Sequence, residues 1–99
     1  MSDKALEYLS KALAVRSQGA GEAEYNEASS HCAAAVDECI RATGGEALTH
    51  NGDPWSGLRQ SLSRNRADHA MLGRSFHYPF RIERLQELAQ ALKEALSDE

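Results

Sequence analysis

The chain has 99 residues, 41% of them apolar and 26% charged, with a net charge of −4. That composition excludes intrinsic disorder and fits a single domain over residues 1–99, large enough to hide about two thirds of its unfolded surface from water. No apolar run approaches the ~20 residues that span a bilayer, and Met1 to Ala5 lacks the basic and then apolar character of a secretory signal. We therefore expect a cytoplasmic protein with no membrane attachment.

Ser2 and Asp3 can cap and charge a first helix whose apolar positions Leu6, Leu9, Leu13 and Val15 recur at short helical intervals. It should stop before Gly19 and Gly21. A second helix begins around Glu22 to Glu24 and carries Tyr25, Ala28, Cys32, Val36, Cys39 and Thr43 on one stripe, broadened by Ile40. Gly44-Gly45 ends it. Cys32 and Cys39 lie seven residues apart on that stripe, roughly 10 Å at 1.5 Å per residue, so no disulfide joins them and they read as apolar fillers. His31, His50 and His77 lack the close paired spacing of structural zinc ligands, and no metal or other cofactor is expected.

Asn51-Gly52 signals a turn in a loop from Glu46 to Pro54, and Asp53-Pro54 sets up another helix start. The third helix is predicted from Pro54 to about Leu72, because Leu58, Leu62, Asn65, His69 and Leu72 fall at steps of four and three. Gly73 closes it. After an irregular connection from Arg74 to Pro79, a last helix carries Ile82, Leu85, Leu88, Leu92 and Leu96 into an acidic tail. No strand-like alternation competes, so the fold class is all-α, a four- to five-helix up-and-down bundle.

The third helix proposes chemistry. Asn65 and His69 continue the row begun by Leu58 and Leu62, so a polar pair interrupts a leucine seam where unpaired polar groups are costly. Arg64 lies five residues before His69, about 140° around the helix, but its long side chain can wrap toward the same groove. A guanidinium holds phosphate, an amide orients it and an imidazole moves protons near neutral pH, which together suit work on a phosphodiester. The same pair would also serve as a hydrogen-bonded rim at a helix crossing.

Charge is unevenly spread. Between Trp55 and Arg84 stand Arg59, Arg64, Arg66, Arg74, Arg81 and Arg84 against only Asp68 and Glu83, whereas residues 1–50 carry −4. Trp55, Phe76, Tyr78 and Phe80 share the basic window. Arginine planes and aromatic rings stack single-stranded bases, which makes Arg59, Arg66, Arg74, Arg81, Arg84 and Tyr78 candidate RNA contacts. Large aromatics serve cores first, so packing the third helix on the last is the stronger expectation for these rings.

The stretch Leu62-Ser63-Arg64-Asn65-Arg66-Ala67-Asp68-His69 resembles the R-N-x-x-x-H signature of HEPN domains, small helical bundles of toxins, CRISPR effectors and other RNA-targeting systems. Ala23 to Gly44, with Tyr25, Ala28, His31, Ala35, Val36 and Ile40, resembles the family's earlier helix; the loop at Thr49-His50 and the final amphipathic helix keep its order. The resemblance implies a metal-independent endoribonuclease acting as a homodimer, with Arg64, Asn65 and His69 catalytic and the Arg64 and His69 of two subunits facing each other. It further implies a toxin or defence component neutralised by a nucleotidyltransferase-type antitoxin or another acidic protein. Many toxin members carry a modified tyrosine two positions after the histidine, where this chain has Met71, and Asp68 adds an acid beside the site. The alternative is a noncatalytic helical module, an inhibitor or adaptor, that engages an acidic protein or nucleic acid through its arginine-rich face.

Overall fold

The structure, a computed structural model, describes residues 3–42 and 54–97, in which every regular element is helical. Four α-helices form the bundle: α1 (Asp3–Leu13), α2 (Glu22–Ala42), α3 (Ser56–Leu72) and α4 (Tyr78–Ser97). The expected loop from Glu46 to Pro54 and its Asn51-Gly52 turn lie almost wholly outside the described residues, as do Thr43, the Gly44-Gly45 stop and the end of the acidic tail.

Glycine and acid placement fix the first turn of the chain. Gly19 adopts φ 70°, a left-handed conformation that side chains resist, and turns the chain between α1 and α2. At the start of α2, Glu24 reaches back to accept from the Gly21 backbone N–H at 3.2 Å and pairs with Arg16 at 3.1 Å. Hydrogen bonds from its own backbone N–H and from that of Gly21, then the Arg16 guanidinium, hold the Glu24 carboxyl below its usual pKa.

The core is built as much on alanine as on leucine. Ala5, Leu9 and Ala12 of α1 meet Tyr25, Ala28, Cys32, Ala35, Val36 and Cys39 of α2, and Ile82, Leu85, Ala89, Leu92 and Leu96 of α4 complete the cluster. Small residues at these positions let helix backbones approach closely. Neither cysteine is in a disulfide, both are fully buried, and burial pushes the Cys32 thiol up to about 12. The helix α4 packs against each of the other three, while α3 packs on α4 and α2 and does not touch α1 among the described residues.

One polar side chain ties the ends of the chain together. From α4, the Gln86 amide donates to the Val15 carbonyl at 2.7 Å and reaches that of Leu13 at 3.5 Å and that of Ala12 at 3.2 Å, the last of which also accepts from the Val15 N–H at 3.3 Å. Gln86→Leu should cost about 1–2 kcal/mol, the penalty for part-buried acceptors that lose their donor. Urea denaturation checks this; unchanged stability would mean that water serves those carbonyls equally well.

The α3–α4 connection differs from the sequence expectation. Gly73, at φ 51°, donates its N–H to the His69 carbonyl and closes α3, and a 3-10 turn over Gly73–Ser75 follows. Tyr78 and Pro79, expected in an irregular connection, form the first turn of α4. Proline is tolerated there because its missing N–H would have no helical partner. The Phe80 N–H donates to His77 Nδ1 at 3.3 Å, so a histidine takes the capping role usually left to Ser, Thr, Asp or Asn.

Candidate functional site

Helix α3 presents its polar row at the junction with α2 and α4. Asn65 is the buried polar residue of the described core, 3% exposed, while His69 one turn later is half-buried. The leucine seam fades along the helix: Leu58 is buried, Leu62 partly so, and Leu72 is 43% exposed.

The two polar residues are held by α4 and by the turn before it. Arg81 donates through one nitrogen to Asn65 Oδ1 at 3.0 Å and to Asp68 Oδ2 at 2.8 Å, and its guanidinium carbon lies 4.8 Å from the centre of the Phe76 ring. Arg81, expected to face RNA, is thus engaged within the chain. The Asn65 amide nitrogen closes no hydrogen bond of regular geometry. Burial pushes the Tyr25 phenol above its ordinary pKa, and the approach of the Asn65 side chain to its hydroxyl offsets this only in part.

Three rings, those of Tyr25, Phe76 and Tyr78, surround the imidazole. His69 lies parallel to Tyr25, with centroids 6.3 Å apart, and edge-on to Phe76 at 5.0 Å. Its Nε2 shares a hydrogen bond of 3.1 Å with the Tyr78 hydroxyl. If the phenol donates, Nε2 is the bare nitrogen and Nδ1 carries the proton. These contacts fix the plane of the ring while leaving it reachable from solvent, which is what a proton-transfer group needs.

The expected convergence of Arg64 and His69 in one groove of a single chain is not what the helix delivers. Their 140° separation sends Arg64 into a cleft between α3 and α4 with Gly57, Asn65, Phe80, Arg81 and Arg84. His69 instead lines a cleft between α2 and α3, and the arginine beside it there is Arg66, three residues earlier and on the same side of the helix. A further depression on the other side of the imidazole holds Glu22, Gly73, Arg74 and Tyr78.

The remaining candidates divide by environment. Arg84 is exposed and pairs with Glu87 at 3.0 Å, and Arg59, Arg66 and Arg74 are exposed. Trp55 and Phe76 are buried and serve packing, Tyr78 is half-buried, and Phe80 is 60% exposed. Asn26, Ser29 and Ser30 of α2, which line the cleft beside His69, carried no signal in the sequence. Their polar spacing reads as an ordinary solvated face, and only the approach of α3 gives it a partner.

Among the described residues no helix is long and apolar enough to cross a membrane, and no group of three His, Cys, Asp or Glu side chains could hold a metal ion. No family model matches the chain, and neither a curated protein nor a solved structure is significantly similar to it.

Proposed function

We propose that the protein is a metal-independent endoribonuclease of HEPN type, acting on single-stranded RNA from a site shared by two copies of the chain. The observation that carries this reading is the His69 imidazole, solvent-accessible at the mouth of a cleft yet oriented by Tyr78 and the surrounding rings. A histidine serving only the core would be enclosed, and one serving only solubility would be unrestrained. The placement of Arg64 in the adjoining cleft fits a second copy supplying the guanidinium opposite this imidazole.

In the reaction the ribose 2′-oxygen attacks the adjacent phosphorus and the bond to the 5′-oxygen breaks. His69 of one copy accepts the 2′-hydroxyl proton, and the second copy's histidine gives a proton to the leaving oxygen. Arg64 offsets charge growing on the phosphoryl oxygens. Asn65, its carbonyl held by Arg81, keeps α3 in register beneath the site. The products are a 2′,3′-cyclic phosphate and a 5′-hydroxyl end.

The test is incubation of purified protein with mixed single-stranded RNA in the presence of a chelator, with end-group analysis and solution mass. Cleavage leaving cyclic phosphate ends, from a dimer, is expected. An inert protein, or a strict monomer, would remove this reading.

A second reading draws on the surface. Met71 is 83% exposed and Phe80 60% exposed, and Arg64 and Arg84 flank Phe80. The exposed Phe80 ring edged with those cations suits a noncatalytic module that engages an acidic protein. That reading expects RNA to be left intact.

A further inference from the structure

We propose that the cleft between α2 and α3 is an anion subsite that holds one backbone phosphate of a single strand, with Arg66 as its cation. The inference rests on the ribonuclease reading and assigns to Arg66 a place that the R-N-x-x-x-H pattern leaves blank.

Arg66 is exposed, and no ion pair engages it among the described residues, whereas Arg81 is bound to Asp68 and Arg84 to Glu87. Opposite it, α2 contributes Asn26, Ser29 and Ser30. The Ser29 hydroxyl donates to the Asn26 carbonyl at 3.2 Å, which leaves the Ser30 hydroxyl and the Asn26 amide as donors toward a ligand. No carboxylate lines this cleft, although the chain carries a net charge of −4; the depression on the other side of His69 includes Glu22. A guanidinium, an amide and a hydroxyl around a space free of acids match phosphate oxygens. The cleft is about 320 Å³, at the small end of ligand sites, so it suits one phosphate and its sugar rather than a folded RNA. His69 lines the same cleft, which sets the bound phosphate beside the one to be cleaved.

The experiment uses a 2′-O-methyl oligoribonucleotide, which lacks the attacking hydroxyl and so reports binding alone. Its affinity is measured by fluorescence anisotropy across a salt series for the wild type, Arg66→Ala and Arg66→Lys. Arg66→Ala should weaken binding and make the slope of log K against log salt shallower by about 0.7, the value for one phosphate contact on a single strand; Arg66→Lys should restore the slope. Inorganic phosphate should shift the His69 ring resonances of the wild type and not those of Arg66→Ala. An unchanged slope in Arg66→Ala, or His69 resonances indifferent to phosphate, overturns the subsite. Cleavage of unmodified RNA is scored separately. Arg66-dependent binding without cleavage leaves the subsite standing and removes the enzyme, whereas cleavage with Arg66-independent binding does the reverse.

Discussion

His69→Ala is expected to lower RNA cleavage by at least about 10²–10⁴-fold, the usual contribution of one positioned acid or base, because in a homodimer it removes both the accepting and the donating imidazole. The fold should survive, because the imidazole is half-buried and its polar contact is a single hydrogen bond with Tyr78. Binding of a noncleavable strand should also persist, since the arginines supply that affinity. Single-turnover cleavage, thermal unfolding and anisotropy together check the outcome. Loss of cleavage in step with loss of fold would demote His69 to a packing residue, and full activity without it would end the proposed mechanism.

Arg81→Ala is the change expected to cost most stability among the polar positions. It removes two charge-assisted hydrogen bonds and a cation–ring contact, and it leaves the Asn65 carbonyl without its donor inside the protein. Part-buried charged hydrogen bonds contribute about 1.5–3 kcal/mol and a ring contact about 0.5–1 kcal/mol. Asp68 keeps some solvent access and recovers part of its share. The net expectation is about 2–3 kcal/mol, or a fall in Tm on the order of 10–20 °C for a domain of this size. Arg81→Lys should recover only a fraction, because an ammonium supplies charge without the planar fork or the flat face that lies over Phe76. A Tm within a few degrees of wild type would show that Arg81 does not hold α3 to α4.

The sequence made the helices legible where spacing and punctuation agreed. Leu9 in α1, the Tyr25-to-Cys39 stripe in α2, and Ile82, Leu85, Leu92 and Leu96 in α4 are buried as their intervals require, Leu88 only partly so, and Gly73 ends α3. Alanine was the blind spot. Ala5, Ala12, Ala35 and Ala89 are fully buried, but such a small side chain leaves no apolar stripe when read along a line of text. Pro79 looked like an interruption because proline breaks helix interiors, and the His77 cap that turns it into a beginning is an unusual residue in that role.

The candidate site was legible only in part. Asn65 and His69 share a face by arithmetic, and they do sit at a buried-to-exposed boundary. Arg81 reaches Asn65 across 16 residues and Asp68 across 13, a meeting made by the α3–α4 turn that no local spacing encodes. Whether Arg64 or Arg66 accompanies the imidazole depended on which neighbouring helix each faces, and that is a property of packing.

The burial pattern of α3 has a kinetic meaning. Only Leu58 and Asn65 of its 17 residues are buried, against six in α2 and five in α4. Opening free energy follows such anchorage, so α3 should be the first segment to detach transiently while its neighbours stay zipped. Its amide protons should trade with deuterium well before those of α2, and a strand of nucleic acid laid across it would slow that exchange, acting as the clasp that the apolar interior does not provide.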